Sequence, residues 1–303
     1  MSQSAKQPLL YGGIEGGGTK FVCSVAHSPA HVIESATFAT TSAQATLAEC
    51  VGFFRAAQTK HGHIGAFGFS CFGPLELRPD SAAYGCMLST PKAGWSGVNL
   101  LAPLQASFSA PIALDTDVGG AALAEWQLGA GRGLASLAYI TVGTGIGGAV
   151  APATPAASRL MHAEMGHIPV RRHPQDRSFG GICPFHGNCL EGLASGPAIV
   201  ARWGTTLDAL LSGHEAREII ADYLAQLTTS IALMLSVERV VLGGGVMADG
   251  QVMPFVRDAT ARYLNGYLEP LRDSSRLKDY ICAPGLGARA GVTGALLLAQ
   301  AAL

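Results

Sequence analysis

The segment from Cys183 to Cys189 carries three potential metal ligands at two-residue gaps. It is Cys183-Pro-Phe-His186-Gly-Asn-Cys189, and a fourth candidate, His167, lies upstream. Two thiolates and two imidazoles form a closed tetrahedral set that suits structural zinc, and four protein ligands leave no open position for a catalytic ion. We therefore predict a structural zinc ion bound by His167, Cys183, His186 and Cys189.

The surroundings of this segment agree with a bound metal. Residues 166–192 have little regular pattern, and a zinc ion would give this glycine-rich insertion a fixed shape. His162 and His173 compete for the fourth ligand position, although His173 stands beside Pro174 among arginines, where a solvated side chain is expected. The alternative is a pair of unligated thiols with incidental histidines.

The first of three glycine-rich turns is Glu15-Gly-Gly-Gly-Thr-Lys20, between two apolar runs. Glycines let a ligand approach the backbone closely, and consecutive N–H groups form a concavity that binds anions. Gly17, Gly18, Thr19 and Lys20 are therefore candidates for phosphate binding. The order Thr-Lys and the strand that follows differ from a P-loop, which needs the reverse order and a helix. The alternative is a plain hairpin.

Two further glycine turns follow later strands. Gly143-Thr-Gly-Ile-Gly-Gly148 matches G-x-G-x-x-G, but strand-like residues follow where a dinucleotide-binding fold needs a helix. We interpret it as a second phosphate-binding hairpin. Gly243-Gly244-Gly245 follows a predicted strand and precedes a predicted helix, where a nucleotide can lie against the helix N-terminus. Together, three such turns at strand ends indicate a nucleotide-binding protein.

Asp117 is the candidate for acid–base chemistry. It ends the run Asp115-Thr-Asp117 after a predicted strand and directly precedes a predicted helix. Active-site groups of α/β proteins gather at such strand ends. Phosphoryl transfer to a hydroxyl needs an aspartate that accepts the hydroxyl proton. Asp117 could supply that group, with Asp115 as the weaker candidate, and the alternative role for Asp117 is helix capping.

The elements that would position these residues follow from the spacing of apolar residues. Strands are predicted at 9–15, 21–26, 31–40, 64–70, 111–114, 137–142, from 149, 239–242 and 280–282. Helices are predicted at 43–60, 98–108, 118–128 and 287–303, with further helices between 193 and 286. The strand–turn–strand pattern at residues 14–25 is echoed from residue 136, which predicts two lobes built from the same unit. The last helix is expected to pack on the first lobe.

Composition limits the class of protein. The chain has 303 residues, 49% of them hydrophobic and 14% charged, with a formal net charge of −1. These values argue against disorder, coiled coil and nucleic-acid binding. The start shows no secretory signal, the longest apolar stretches are too short or too rich in glycine to span a bilayer, and seven scattered cysteines do not resemble a disulfide framework. We therefore expect a cytoplasmic protein that binds no membrane.

The predicted lobes of the chain are 1–116 with 287–303, and 117–286 with a zinc-binding insertion at 162–192.

Taken together, these motifs resemble the ROK family of bacterial sugar kinases and sugar-responsive repressors, and specifically its fructokinase branch. The resemblance covers nearly the whole chain. Its motifs are Gly13-Ile-Glu-Gly-Gly-Gly-Thr-Lys-Phe21, Ser70-Cys-Phe-Gly-Pro74, Thr90-Pro-Lys-Ala-Gly-Trp95, Asp117, Thr141-Val-Gly-Thr-Gly-Ile-Gly147, Glu164-Met-Gly-His167, residues 183–191, Ser195-Gly-Pro197 and Leu242-Gly-Gly-Gly-Val-Met247. It implies an α/β, two-lobed hexokinase/actin-type (ribonuclease H-like) ATPase fold with duplicated strand–turn–strand units. It also implies MgATP and a hexose as substrates, and often a homodimer.

The resemblance also implies roles for individual residues. Asp117 matches the family's catalytic base, and His167 matches a residue that both lines the sugar pocket and binds zinc. Positions around the sugar are matched by Gly73, Pro74, Lys92, Trp95, Glu164, His167 and Glu191. Nucleotide positions are matched by Gly17, Gly18, Thr19, Lys20, Thr144, Gly145, Pro197, Gly243, Gly244 and Gly245.

Two positions depart from the family pattern. Glu15 stands where many members carry aspartate, although the fructokinase branch also uses glutamate there. Gly119 stands where members usually carry an asparagine that contacts sugar hydroxyls, which leaves sugar selectivity open.

The resulting functional prediction is an ATP-dependent fructokinase that makes fructose 6-phosphate. The segment Thr90 to Trp95, which is similar to a fructokinase loop, is the main reason to prefer fructose. Glucokinase, mannokinase and N-acetylmannosamine kinase activities are alternatives within the family. A sugar-responsive transcriptional regulator is disfavoured because the first lobe starts by Leu9, which leaves no room for a helix-turn-helix. A catalytically silent sugar-binding protein is disfavoured by the presence of Asp117.

Overall fold

The computed structural model describes residues 9–303, which divide into two compact units. Unit 1 comprises the described residues up to Ala124 together with Ala153–His162 and Ala288–Leu303. Unit 2 comprises Glu125–Pro152 and Ala163–Gly287. The lobe boundaries given above stay a prediction.

The secondary structure of the described residues alternates between strands and helices. The strands are β1 (Leu10–Gly16), β2 (Lys20–Ser28), β3 (His31–Ala39), β4 (Ile64–Cys71), β5 (Ile112–Thr116), β6 (Leu137–Val142), β7 (Ile146–Ala151), β8 (Val240–Gly243) and β9 (Ile281–Cys282). The α-helices are α1 (Ala43–His61), α2 (Ala102–Gln105), α3 (Asp117–Leu128), α4 (Leu190–Ala194), α5 (Gly196–Trp203), α6 (Ala216–Met234), α7 (Met253–Leu264), α8 (Ser274–Tyr280) and α9 (Ala290–Ala301). Across residues 9–303, no helix has both the length and the apolar character needed to cross a bilayer.

Each unit contains one sheet, and the two sheets share a pattern. In unit 1 the strand order is β3-β2-β1-β4-β5, with β1 and β2 antiparallel and β4 parallel to β1. In unit 2 the order is β7-β6-β8-β9, with β6 and β7 antiparallel and β8 parallel to β6. A hairpin beside a parallel strand therefore occurs in both sheets, which confirms the predicted duplication of the strand–turn–strand unit.

The core of unit 1 lies between its sheet and two helices. From α1, the ring of Phe54 meets the ring of Phe67 on β4 edge-on, with centroids 5.0 Å apart. Helix α9 packs on β1 and β4. A side chain at Gly68 could not be accommodated there, because its Cβ would lie 1.9 Å from the carbonyl oxygen of Ala295. Glycine thus permits the direct approach of helix to strand, and the last helix packs on the sheet of unit 1.

The core of unit 2 surrounds α6, whose Ile219, Ile220 and Tyr223 are fully buried. The carboxylate of Asp176, also fully buried, accepts hydrogen bonds from Tyr223 Oη at 2.6 Å and from Arg172 Nη2 at 3.1 Å, and pairs with Arg202 at 2.6 Å. Because a buried carboxylate needs such partners, this cluster ties residues 171–176 to the helices beneath them.

Two predicted helices are wrong. The helix expected at 98–108 is reduced to Ala102–Gln105, because Oδ1 of Asn99 accepts the N–H groups of Leu101 and Ala102 in an Asx-type turn and delays the helix start. The helix expected directly after Gly243-Gly244-Gly245 is only a single 3-10 turn, Gly245–Met247, and the next α-helix begins at Met253.

The predicted glycine turn at 143–148 is also shorter in the structure. Gly147 pairs with Thr141, and Gly148 pairs with Ile140, so both belong to strand β7. The antiparallel register leaves only residues 143–145 in the turn.

Candidate active site and metal centre

The turn between β1 and β2 is held through its carbonyl groups. The carbonyls of residues 16–19 each accept one hydrogen bond of 2.6–2.9 Å, from a backbone amide, from the hydroxyl and amide of Thr40, and from the ammonium of Lys92. Among residues 9–303, the N–H groups of Gly18 and Thr19 have no protein acceptor, and both residues are exposed. The turn therefore leaves two amides available to an anion, as the sequence predicted for a phosphate-binding loop.

Asp117 is the first residue of α3 and directly follows β5. The hydroxyl of Thr116 accepts the N–H of Gly119 at 3.0 Å, so the capping bond is made by Thr116. The carboxylate of Asp117 accepts the adjacent N–H of Val118 at 2.8 Å. Burial raises the pKa of Asp117 to about 6, and the charge of Asp115 adds to the shift. A carboxylate with a pKa near neutrality is well suited to accept a proton.

Helix α3 is fixed by close backbone contacts within unit 1. A Cβ at Gly294 of α9 would lie 2.1 Å from the carbonyl oxygen of Gly120. A Cβ at Gly120 would lie 2.8 Å from the Cβ of Ser70 on β4. The first turn of α3 is thus held between a strand and a helix, which fixes the backbone position of Asp117.

Gly119, which departs from the family pattern, leaves space that the side chain of Asp115 occupies. A Cβ at Gly119 would lie 2.6 Å from the carboxylate of Asp115, so the Asp115 side chain occupies the space that a residue-119 side chain would need. Burial raises the pKa of Asp115, and the charge of Arg159 opposes that shift. An asparagine at position 119 would displace this carboxylate.

A third carboxylate, Glu15, lies near Asp117. Burial raises the pKa of Glu15, the charge of Lys20 opposes the shift, and the charge of Asp117 adds to it. A Cβ at Gly291, in the first turn of α9, would lie 2.2 Å from this carboxylate. Glu15 was not among the predicted site residues. The available signal was its position at the end of β1 beside the glycine turn.

The segment Thr90 to Trp95 is anchored in the core of unit 1 by the side chain of Trp95. Trp95 is fully buried, its Nε1–H donates to the carbonyl of Thr41 at 3.1 Å, and its ring packs against those of Phe21 and Phe72. Because the indole has no exposed surface, Trp95 can affect a bound sugar only through the position of its segment.

Gly73 and Pro74 lie beside His162. Nε2 of His162 accepts the N–H of Leu75 at 3.0 Å, and a Cβ at Gly73 would lie 3.3 Å from the imidazole. His162 also lines a cavity of about 290 Å³ in unit 1, together with Arg159. His162 is therefore not a ligand of the metal cluster. His173 is also outside the cluster, where its Nδ1 accepts the N–H of Gln175 at 3.3 Å.

Two glycine turns of unit 2 lie at the same end of its sheet, after the carboxyl ends of two neighbouring strands. Strands β6 and β8 are parallel, with Thr141 paired to Gly243, so the turns that follow them are neighbours. Gly244 has a φ of 92°, and a Cβ there would lie 2.4 Å from the carbonyl oxygen of Val142. Only glycine meets both demands.

The N-terminus of α5 joins the same place. The N–H of Gly196 donates to the carbonyl of Gly143 at 2.7 Å, and Ser195 caps the helix by accepting the N–H of Ala198 at 3.4 Å. Pro197 lies in the first turn, where its missing N–H costs nothing. The structure therefore brings together the predicted nucleotide-binding residues of unit 2, which are Thr144, Gly145, Pro197, Gly243, Gly244 and Gly245.

The four predicted zinc ligands converge. Their ligand atoms all lie within 4.8 Å of one another. Nδ1 of His167 is 3.7 Å from Sγ of Cys183 and 3.6 Å from Sγ of Cys189, and Nδ1 of His186 is 3.7 Å from Sγ of Cys183. With Zn–S of about 2.3 Å and Zn–N of about 2.0 Å, a tetrahedral site has S–N edges of about 3.5 Å. Both the donor set and its spacing fit zinc.

Burial raises the pKa of Cys189 to about 11, and the neighbouring Cys183 adds to this shift. This thiol is therefore protonated without a metal, whereas a zinc ligand is a thiolate.

Glu191 connects this cluster with the glycine turn at 143–145. Its Oε2 accepts the N–H of Ile146 at 2.8 Å, and its Oε1 lies 3.9 Å from Nε2 of His167. A Cβ at Gly145 would lie 2.6 Å from Oε2. Carboxylates that contact the second nitrogen of a metal-binding histidine orient its ring.

Glu164 precedes the 3-10 turn Met165–His167, and its carbonyl accepts the N–H of His167 at 3.0 Å. A Cβ at Gly166 would lie 1.9 Å from the carbonyl oxygen of Ile146. The predicted sugar-binding residues Glu164, His167 and Glu191 thus lie around the start of β7 in unit 2.

Comparison with known proteins decides the family. The model of the ROK family matches residues 11–302. The chain belongs to the ROK family. It is 43% identical to a fructokinase of Zymomonas mobilis over 297 residues, which covers 97% of each protein. It is 37% identical to a fructokinase of Pediococcus pentosaceus over 295 residues, which covers 97% of this chain and 99% of that protein.

Among solved structures, a ROK hexokinase from Thermus thermophilus matches with a TM-score of 0.74 and 25% identity, over 97% of this chain and 98% of that one. As a member of the ROK family, the protein has the predicted α/β fold of the hexokinase/actin type, and the structure shows two sheets. The family resemblance inferred from the motifs is confirmed.

Proposed function

We propose that this ROK family protein is an ATP-dependent hexose kinase whose preferred substrate is D-fructose, converting ATP and fructose to ADP and fructose 6-phosphate. The support in sequence is that relatives 36–43% identical over most of the chain are fructokinases. The structural observation that carries the proposal is Asp117, a partly buried carboxylate with a raised pKa whose helix-capping role is taken by Thr116.

In this reaction Asp117 accepts the proton of the attacking sugar hydroxyl. The hydroxyl oxygen forms a bond to the γ-phosphorus while the bond from that phosphorus to the bridging oxygen of ADP breaks, so ADP leaves with the electron pair. Because phosphoryl transfer requires little covalent chemistry from the protein, positioning and charge stabilisation supply most of the catalysis.

The candidate phosphate-binding groups differ between the two units. In unit 1 they are the free amides of Gly18 and Thr19, with the cation of Lys20 nearby. In unit 2 they are the turns at 143–145 and 243–245 and the N-terminus of α5, whose dipole favours anions.

Magnesium would enter with ATP and neutralise charge on its phosphates. The carboxylates of Glu15 and Asp115 offer the oxygen ligands that it prefers. Mg²⁺ usually keeps several waters and is bound through one or two carboxylates together with substrate phosphates.

Zinc is proposed as a structural ion that orients His167 and, through it, the surroundings of Glu191 and Glu164. Carboxylates at a sugar site accept strong hydrogen bonds from sugar hydroxyls. A cytoplasmic location and a homodimer belong to the same proposal, and both rest on the family resemblance.

A coupled assay of ADP release with fructose, mannose, glucose and N-acetylmannosamine tests the function. We expect the highest kcat/KM for fructose. Preference for another hexose would correct the substrate, and no hexose-dependent ADP release from zinc-loaded protein would overturn the kinase assignment.

A further inference from the structure

We propose that Lys92 contacts the terminal phosphate of the bound nucleotide, and so acts on the transferred phosphoryl group and not on the sugar. This inference deepens the proposed kinase function and rests on it.

The position of the Lys92 ammonium carries the inference. Nζ donates to the carbonyl of Gly18 at 2.6 Å, at the tip of the turn between β1 and β2. The same tip exposes the amides of Gly18 and Thr19, which have no acceptor within residues 9–303. The cation is thus fixed at the edge of the anion-binding concavity, where it adds a full charge to two backbone dipoles.

The segment that carries Lys92 is held by hydrogen bonds and by one buried side chain. Trp95 anchors it in the core, and the backbone N–H of Trp95 donates to the carbonyl of Lys92 at 3.2 Å. The hydroxyl of Ser96 accepts the N–H of Thr90 at 3.1 Å. A lysine side chain loses much rotational freedom on binding a ligand, and here the structure already restricts Lys92 at both its backbone and its ammonium.

The charge of Lys92 remains available to a ligand. Its partner, the Gly18 carbonyl, is neutral and occupies one of three N–H donors. Lys60 of the same unit, by contrast, pairs with the carboxylate of Glu34 at 3.0 Å. An ammonium with two spare donors beside a phosphate-binding turn can follow the developing charge of the transferred group.

Two simpler roles for Lys92 make different predictions. If it only holds the turn in shape, any donor to the Gly18 carbonyl suffices. If it binds the sugar, its loss raises KM for the hexose and leaves nucleotide binding unchanged. The variant Lys92→Gln keeps an N–H donor and removes the charge, whereas Lys92→Arg keeps the charge.

The experiment measures kcat, both KM values, and the Kd values of ADP and a non-hydrolysable ATP analogue for the zinc-loaded protein. For Lys92→Gln we expect kcat to fall on the order of a hundredfold. We expect the ATP analogue to bind about tenfold more weakly, as for a lost charge-assisted hydrogen bond. Binding of ADP and KM for fructose should change less than about twofold, and Lys92→Arg should keep most of the discrimination between ATP and ADP. Lys60→Gln is the matched control and should behave as the unmodified protein.

Three results would overturn the inference: normal kcat in Lys92→Gln, equal weakening of ADP and the ATP analogue, or a rise confined to KM for fructose. If Lys92→Gln does not fold, Lys92→Met removes the same charge from an unbranched chain of similar length and carries the same measurements. Nucleotide binding separates this inference from the proposed function. If the unmodified protein phosphorylates no hexose but Lys92→Gln still loses affinity for the ATP analogue alone, the kinase assignment fails and the phosphate contact stands.

Discussion

The amide N–H of Ile146 donates to the carboxylate of Glu191 at 2.8 Å. The other oxygen of this carboxylate lies 3.9 Å from Nε2 of His167, whose Nδ1 belongs to the metal cluster. One side chain therefore contacts both the metal centre and the start of the strand that follows the glycine turn at 143–145. A change at the metal centre should therefore alter the start of β7, and a change at the start of β7 should alter the metal centre.

Replacement of Glu191 by alanine tests this connection. Glu191→Ala leaves the N–H of Ile146 without its acceptor and His167 without its carboxylate neighbour. We expect a loss of about 1–3 kcal/mol in the free energy of unfolding and zinc affinity lower by about 10- to 100-fold. Denaturant unfolding and competition with a zinc chelator measure the two effects. Glu218→Ala, at an exposed position on α6, is the control. Equal zinc affinity in both variants would contradict the connection.

Removal of zinc should unfold residues 166–192 and abolish kinase activity. We expect about one zinc ion per chain, because the four ligand atoms form a single closed set. Metal analysis, thermal unfolding with and without chelator, and hydrogen exchange over this segment provide the measurements. Cys189→Ser should mimic chelation, whereas Cys282→Ser, outside the cluster, should not. Purified protein that is active and contains no zinc would refute the proposal.

Replacement of Asp117 by asparagine should reduce activity and raise stability. Without the proton acceptor, kcat should fall at least about a hundredfold. Because the pKa of Asp117 is raised from 3.8 to about 6, its contribution to folding stability is fully present below pH 3.8 and is lost as pH rises through 6. After allowance for partial exposure, Asp117→Asn should therefore be more stable than the unmodified protein by about 1–2 kcal/mol at pH 7.

That stability difference should vanish at about pH 3, where Asp117 is largely protonated in both the folded and unfolded states. Thermal unfolding at the two pH values separates this effect from changes at other carboxylates, which both proteins share. Full kinase activity in Asp117→Asn would remove the assignment of the base.

The pH dependence of catalysis should follow the same carboxylate. Only ionised Asp117 can accept a proton, so kcat/KM should fall as pH decreases through about 6. Initial rates between pH 5 and 8 at saturating ATP measure this limb. A kcat/KM that stays constant between pH 8 and 5 would show that burial does not raise the pKa of the base.

Gly244→Ala should damage both folding and nucleotide binding. The new Cβ would lie 2.4 Å from the Val142 carbonyl oxygen, and a φ of 92° strains any other residue. We expect a loss of at least about 1–3 kcal/mol and weaker ATP binding, measured by denaturant unfolding and calorimetry. Gly213→Ala is the matched control, since nothing lies within 4 Å of a Cβ there. Similar stability of the two variants would refute the close approach of the turn to β6.

Features encoded by neighbouring residues were predictable from the sequence. Local spacing determines the glycine turn at 17–19, the metal-ligand pairs around Cys183 and Cys189, and the duplicated hairpins. The structure contains all of them. The helix predicted at 98–108 is wrong because the prediction relied on the spacing of apolar residues and gave too little weight to Asn99. The side chain of Asn99 forms a turn that competes with helix formation.

The sequence by itself determined which residue types could bind zinc, phosphate and a proton, because those chemistries reside in side chains and short glycine turns. Only the tertiary structure decided which of them meet. Lys92 reaches the carbonyl of Gly18 across 74 residues, and Glu191 reaches Ile146 across 45. Burial of Trp95 and the space for Asp115 over Gly119 likewise depend on packing. Such contacts form when strands pair and helices pack. The spacing of neighbouring residues therefore does not show which residue of a distant segment will be in contact.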